Sequence, residues 1–184
     1  MQILGGILYS NEILFQGFID GLVYALIAMG LVLIYKATGV INFAQGAIGT
    51  FGGFVMGMLM VNYGLPYWLA AILAIAASAA VSTVTELLVV RRLFTKPRLL
   101  LFVATLGVAQ LVALIQIWLP TVDERVDYPT PIKGYWEIGG IDILLRGEQV
   151  TVLIVVPFIV IVLGYLLQKT RFGLAVRSAA DNPG

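Results

Sequence analysis

The side chains best placed to do chemistry in this sequence are amides and a hydroxyl set among hydrocarbon. Asn42 and Gln45 lie in Gly39-Val-Ile-Asn-Phe-Ala-Gln-Gly46, where the chain turns between two long apolar runs. Thr105 and Gln110 lie inside a later apolar run, Gln110 near its middle. A polar group at that depth must face protein or water rather than lipid. Gly39 stands where a helix C′ residue should, just past Lys36-Ala37-Thr38. Asn42 reads as an N-cap, with Gln45 three residues on to close a capping box. Behind them Gly49, Gly53 and Gly57 fall four apart, and Gly46, Gly49 and Gly52 three apart. Such rows give a helix a smooth face against which another backbone can press. Together these features describe a helix within a bundle, beside a path for something polar. The plainer readings stand beside that one: the glycine row as packing alone, and the amides as partners for a buried helix end.

Catalysis finds little support. There is no histidine and no cysteine, which removes the commonest general base and metal ligand together with all thiol chemistry. No Gly-x-Ser-x-Gly elbow, Walker A loop or close pair of intramembrane carboxylates is present, so neither an enzymatic activity nor a cofactor is expected. The net charge of +1 comes without a basic patch interleaved with aromatics, and nucleic acid is not an expected partner.

The elements that must position these groups are membrane spans. Of the 184 residues, 60% are hydrophobic and 11% charged, with a mean hydropathy of +1.00; soluble domains run near 25% charged. The expected fold is an all-α polytopic membrane protein of five spans, at 13–35, 42–61, 67–90, 99–119 and 150–167. Each is close to the ~20 apolar residues a bilayer core requires. Pro66 starts the third span. Ser78, Ser82, Thr83 and Thr85 can bond their own backbone or a neighbour. Glu86 closes that span, and it is expected to pair with Arg91 or Arg92 or to snorkel to the surface. Asp20, the only charge within the first apolar run, is expected near the aqueous end or facing protein. The loop at 120–149 holds a β-hairpin, Tyr135–Ile138 and Ile141–Leu144 about Gly139-Gly140. The start of the chain lacks a basic n-region, so no removable signal peptide is expected.

Charge sets the orientation. With the Arg91–Arg98 cluster cytoplasmic, alternation places Lys36, Lys169, Arg171 and Arg177 on the same side, which accounts for eight of the eleven basic residues. The 120–149 loop, on the outer side, carries Arg125, Lys133 and Arg146 against Asp123, Glu124, Asp127, Glu137, Asp142 and Glu148. The N-terminus is then outside and residue 184 cytoplasmic.

One motif is specific, and others support it. Gly17-x-x-x-Gly21-x-x-Tyr24-Ala-Leu-Ile-Ala-x-Gly30, followed by Gly39-Val-Ile-Asn-Phe-Ala-Gln-Gly46, resembles the inner-membrane permease, H-type subunit, of bacterial branched-chain amino acid ABC transporters. Thr105-Leu106-Gly107 is similar to that family's Thr-Ile-Gly. Thr170-Arg171-Phe-Gly173-Leu-Ala-Val-Arg177 is similar to the start of its cytoplasmic coupling loop. The resemblance implies a bacterial plasma-membrane permease that pairs with a second permease subunit, two ATP-binding cassette ATPases and a periplasmic or extracellular substrate-binding protein. It implies a substrate path past Asn42, Gln45, Thr105 and Gln110, helix packing on Gly49, Gly53 and Gly57, and coupling to the ATPases through Arg171, Gly173 and Arg177. The solute is expected to be a branched-chain or related amino acid. Because the family's permeases are longer, residues 1–184 are expected to be an incomplete permease domain ending in a cytoplasmic coupling segment at 168–184. The alternative is a passive channel or membrane scaffold subunit with no link to ATP.

Overall fold

In a bilayer, backbone N–H and C=O groups must bond within their own segment, and the apolar runs accordingly form helices. The computed structural model describes residues 2–4, 7–9, 11–120, 130–138, 143–171, 173–174 and 178. Two short strands, β1 (Gln2–Leu4) and β2 (Ile7–Tyr9), pair antiparallel. This N-terminal hairpin was not expected from the sequence. Helix α1 (Asn11–Thr38) follows, then α2 (Ala44–Val61) and α3 (Tyr67–Thr85). A π-helical turn at Glu86–Val90 carries the third span into the short α4 (Arg91–Leu93). Helix α5 (Arg98–Trp118), strands β3 (Tyr135–Ile138) and β4 (Ile143–Arg146), and α6 (Gly147–Lys169) complete the order. Among the described residues, five helical segments are long and apolar enough to cross a membrane. The chain is an all-α membrane protein of the expected kind, with β-hairpins outside its spans.

The punctuation follows local chemistry. Gly39 takes φ +69°, and its N–H donates to the Tyr35 carbonyl at 2.7 Å, the single bond of a left-handed C-cap. Gly64, also left-handed at φ +64°, turns the chain after α2. Pro66 precedes α3 with φ −65° and ψ 146°, a geometry its ring favours. Of the two outcomes expected for Glu86, the ion pair with Arg91 or Arg92 is not formed among the described residues, and the side chain reaches the surface. All three side chains are exposed where the π turn meets α4.

The chain divides into two units. In the unit of residues 31–129, α2 lies between α3 and α5. Ala44, Ile48 and Val112 form its core, with Phe51, Val81, Val108 and Ala109 packed against them. The hydroxyls of α3 divide as their positions allow. Thr83 and Thr85 donate to Ala79 and Val81 of their own helix, while Ser78 reaches across to the Ile48 carbonyl of α2 at 3.3 Å.

The glycine contact differs from the expected row. A Cβ on Gly52 would run into the Ser78 hydroxyl, whereas at Gly49 and Gly53 it would meet nothing within 4 Å; Gly57 is buried. Adjacent residues of a helix point about 100° apart, so α3 presses on Gly52, while Gly49 and Gly53 stay open among the described residues.

The unit of residues 1–30 and 130–184 holds the start of α1, both hairpins and α6. In the second hairpin Tyr135 pairs with Arg146 and Ile138 with Ile143. The connection therefore spans 139–142, which lies outside the described residues, and not Gly139-Gly140 alone. The second strand sits two residues later than expected. A two-residue shift preserves which side chains share a face, and the Gly147 N–H extends the pairing by donating to the Gly134 carbonyl at 3.1 Å.

A prediction follows for the α2–α3 contact. Gly52→Leu should lower the stability of the detergent-solubilised chain by about 1–3 kcal/mol through overpacking. Gly53→Leu should change it by less than about 0.5 kcal/mol. Unfolding titrations of the two variants beside the parent measure this; equal losses would remove the assignment of Gly52 as the contact.

Candidate functional site

The head of α2 is where the sequence concentrates polarity, and the structure resolves how it is held. Helix α2 is regular from Ala44, and Phe43 before it is already in helical backbone conformation. The Asn42 Oδ1 accepts from the Ala44 N–H at 3.0 Å, the bond a capping side chain makes to the N–H two residues on. Its main-chain carbonyl accepts from the Gln45 N–H at 3.3 Å. Asn42 therefore caps the head of α2 from the turn that precedes it.

The partner for the next N–H comes from another helix. The Phe43 N–H donates to the Thr105 Oγ1 at 3.3 Å, and that hydroxyl donates to the Phe102 carbonyl at 2.9 Å. Thr105 is fully buried. The Phe43 and Phe102 rings meet edge to face with centroids 4.6 Å apart, an arrangement worth about 0.5–1.5 kcal/mol beyond burial. Thus Asn42 and Thr105 converge on one helix end. Gln45 is half-buried on the first turn of α2. Gln110 does not join them: the contact face of α5 runs through Leu101, Thr105, Val108 and Val112, and Gln110 is exposed beside it.

A second polar assembly, in the other unit, was not expected. Gln149 in the first turn of α6 is 9% exposed. Its Oε1 accepts from the Arg146 N–H at 3.0 Å, and its Nε2 donates to the Gln16 Oε1 of α1 at 2.7 Å. The Gln16 Nε2 donates in turn to the Asp20 Oδ1 at 3.0 Å. Beside this chain of amides lies a groove of about 240 Å³ lined by Glu12, Ile13, Phe15, Gln16, Leu144, Arg146 and Gln149. One signal was available in advance: Glu12, Gln16 and Asp20 recur every fourth residue, a polar row on an apolar helix.

At the other end of α6, Thr170 breaks the helix in extended conformation, φ −107° and ψ 160°. Its hydroxyl donates to Leu166 and accepts from the Gly173 N–H at 3.2 Å, while its carbonyl accepts from the Leu174 N–H at 3.1 Å. Thr170 therefore ends one helix and opens the next turn. Gly173 is buried, and a Cβ there would collide with the carbonyls of Leu166 and Leu167. Arg171 is exposed at this corner. Arg177 lies outside the described residues.

The Thr105 contact generates a prediction. Thr105→Val keeps the shape and removes the acceptor for Phe43, which should cost about 1–3 kcal/mol. Thr105→Ser retains the hydroxyl and should cost less than half of that. Unfolding of both variants in micelles decides it, and a Thr105→Val as stable as the parent would show that the head of α2 does not rely on this bond.

Comparison with known proteins agrees with the motifs. The family described as branched-chain amino acid transport system, permease component, matches residues 13–184. A probable branched-chain amino acid transport permease protein LivH of Methanocaldococcus jannaschii is 29% identical over 192 residues, covering 100% of this chain and 55% of that protein. The high-affinity branched-chain amino acid transport system permease proteins LivH of Salmonella typhimurium and Escherichia coli K12 are 26% and 25% identical, each over 95% of this chain and 60% of the relative. The chain thus spans less than two thirds of the length of these relatives. No solved structure matches it significantly. With five apolar helices and a family match across residues 13–184, the chain belongs to the family of branched-chain amino acid transport permeases.

Proposed function

We propose that the chain forms part of the substrate path of a binding-protein-dependent importer for branched-chain or related amino acids, driven by ATPases in partner subunits. The observation that carries this reading is the family match over residues 13–184. The named LivH relatives are transport permeases for this solute class. In this reading the chain is a transport subunit of the bacterial cell membrane and not itself an enzyme. It works beside a second permease subunit, two ATP-binding cassette subunits and an extracytoplasmic binding protein.

The head of α2 fits such a role. A translocated zwitterion needs donors for its carboxylate, and a helix N-terminus supplies N–H groups and the positive end of the helix dipole. Asn42, Gln45, Thr105 and Gln110 are the path residues of this proposal. The open faces at Gly49 and Gly53 leave room for a neighbouring helix of the second permease. The corner at Thr170 turns the chain out of the fifth span toward the ATPases, with Arg171 at the headgroups and Arg177 further out. The charge bias places the N-terminus outside and the end of the chain in the cytoplasm.

The test is reconstitution of the chain with its partner subunits in proteoliposomes. Labelled leucine should accumulate against its gradient only with ATP and binding protein. Arg177→Glu should abolish substrate-stimulated ATP hydrolysis without lowering permease abundance. In the chain's cysteine-free background, Thr95→Cys should be shielded from impermeant reagent in intact cells, and Gly134→Cys open to it. Leucine equilibration independent of ATP would overturn the importer in favour of a passive channel.

A further inference from the structure

The groove between the start of α1 and the second hairpin has a lining more selective than a membrane helix end requires. Arg146 supplies a guanidinium and Glu12 a carboxylate. Ile13, Phe15 and Leu144 supply apolar surface. Gln149 joins the two walls: its Oε1 holds the backbone of Arg146 and its Nε2 holds Gln16 of α1. Both ends of a side chain more than nine-tenths buried are therefore bonded. The element bearing the cation and the element bearing the anion are held in register by one amide, which limits the ordering cost of closing on a ligand.

We propose that this groove is a receiving site for a zwitterionic aliphatic amino acid at the outer mouth of the permease, a role that rests on the importer reading above. A guanidinium presents five donors in a fork that matches a carboxylate. The contact of Arg146 with Glu148, at 3.7 Å between side chains more than half exposed, leaves that fork donors to spare. The Glu12 carboxylate is the matching acceptor for an ammonium, and the apolar wall accepts a branched side chain. A solute with only one charge engages only one of the two charged walls, so the site favours both charges together. The cavity, about 240 Å³, lies below the roughly 300–1,000 Å³ of pockets for larger ligands and suits one small solute.

Position supports the assignment. Gln149 fixes Gln16 at the level of the first turn of α6, and Asp20 lies one turn further along α1, about 6 Å deeper. Its bond to Gln16 continues the polar surface from the groove into the span. An ionisable residue within a membrane helix marks a solute or ion route by default. The amino group of a solute leaving Glu12 thus meets a second carboxylate at Asp20.

The test is equilibrium binding of radiolabelled L-leucine to the full chain in nanodiscs of phosphatidylethanolamine and phosphatidylglycerol. Leucinol, which lacks the carboxylate, and 4-methylpentanoate, which lacks the ammonium, serve as competitors. Each should compete at least about tenfold more weakly than leucine. Arg146→Gln and Glu12→Gln should each weaken leucine binding by about tenfold or more. Arg146→Lys, which keeps the charge without the fork, should weaken binding less than Arg146→Gln, which separates loss of charge from loss of fold, and Lys133→Gln should leave it unchanged. Equal competition by all three ligands, or unaltered leucine binding in both Arg146→Gln and Glu12→Gln, would overturn the site. If the assembled complex accumulates leucine while the chain shows no charge-dependent binding, the site falls and the importer stands. Charge-dependent binding without ATP-driven accumulation gives the reverse.

Discussion

The structure depends on how the first turn of a membrane helix finds partners for its backbone N–H groups. The first N–H groups of any α-helix lack partners within the helix, and in hydrocarbon each one left open costs several kcal/mol. At the head of α2 the Ala44 N–H is taken by Asn42 and the Phe43 N–H by Thr105 of α5. The hydroxyl of Thr105 donates in turn to the Phe102 carbonyl. Helix α2 is thereby fixed to α5 at its start and to α3 along its length, where Ser78 and Gly52 allow close approach. The polar head of α2 stays at a defined place against apolar packing by Ala44, Ile48 and Val112.

The same constraint explains the other polar assembly. Gln149 and Gln16 would each be costly in a lipid-facing position. Together they satisfy one another, and they also bond the Arg146 backbone and the Asp20 carboxylate. In both units an amide or hydroxyl does two things: it closes a helix end and it leaves polar side chains beside it. A permease needs that combination, since its path must be polar while its scaffold must survive in hydrocarbon.

Much of the fold was legible because the bilayer reduces it to lengths of apolar sequence. Pro66, Gly39 and the basic cluster at Arg91–Arg98 mark the breaks, and the left-handed Gly39 follows from its place after Thr38. What escaped was what depends on a partner distant in sequence. The Phe43 N–H finds its acceptor on Thr105, 62 residues away. The contact glycine is Gly52 rather than Gly53 because Ser78 approaches from that side, and two interleaved glycine rows look alike in sequence. The bond of Gln149 to Gln16 crosses 133 residues. No local pattern announced the π turn at Glu86–Val90 or the two-residue shift in the second hairpin.

The central claim is that the amides of α2 and α5 line an aqueous route in the assembled transporter rather than a packed or lipid-facing surface. Because the natural chain has no cysteine, single substitutions report water access directly. In the assembled importer, Gln45→Cys and Gln110→Cys should react with a hydrophilic thiol reagent. Saturating leucine should slow both reactions. Ile75→Cys, at an apolar position 70% exposed on α3, should not react. Failure of both Gln45→Cys and Gln110→Cys to react, with or without leucine and ATP, would contradict the account and place the route elsewhere.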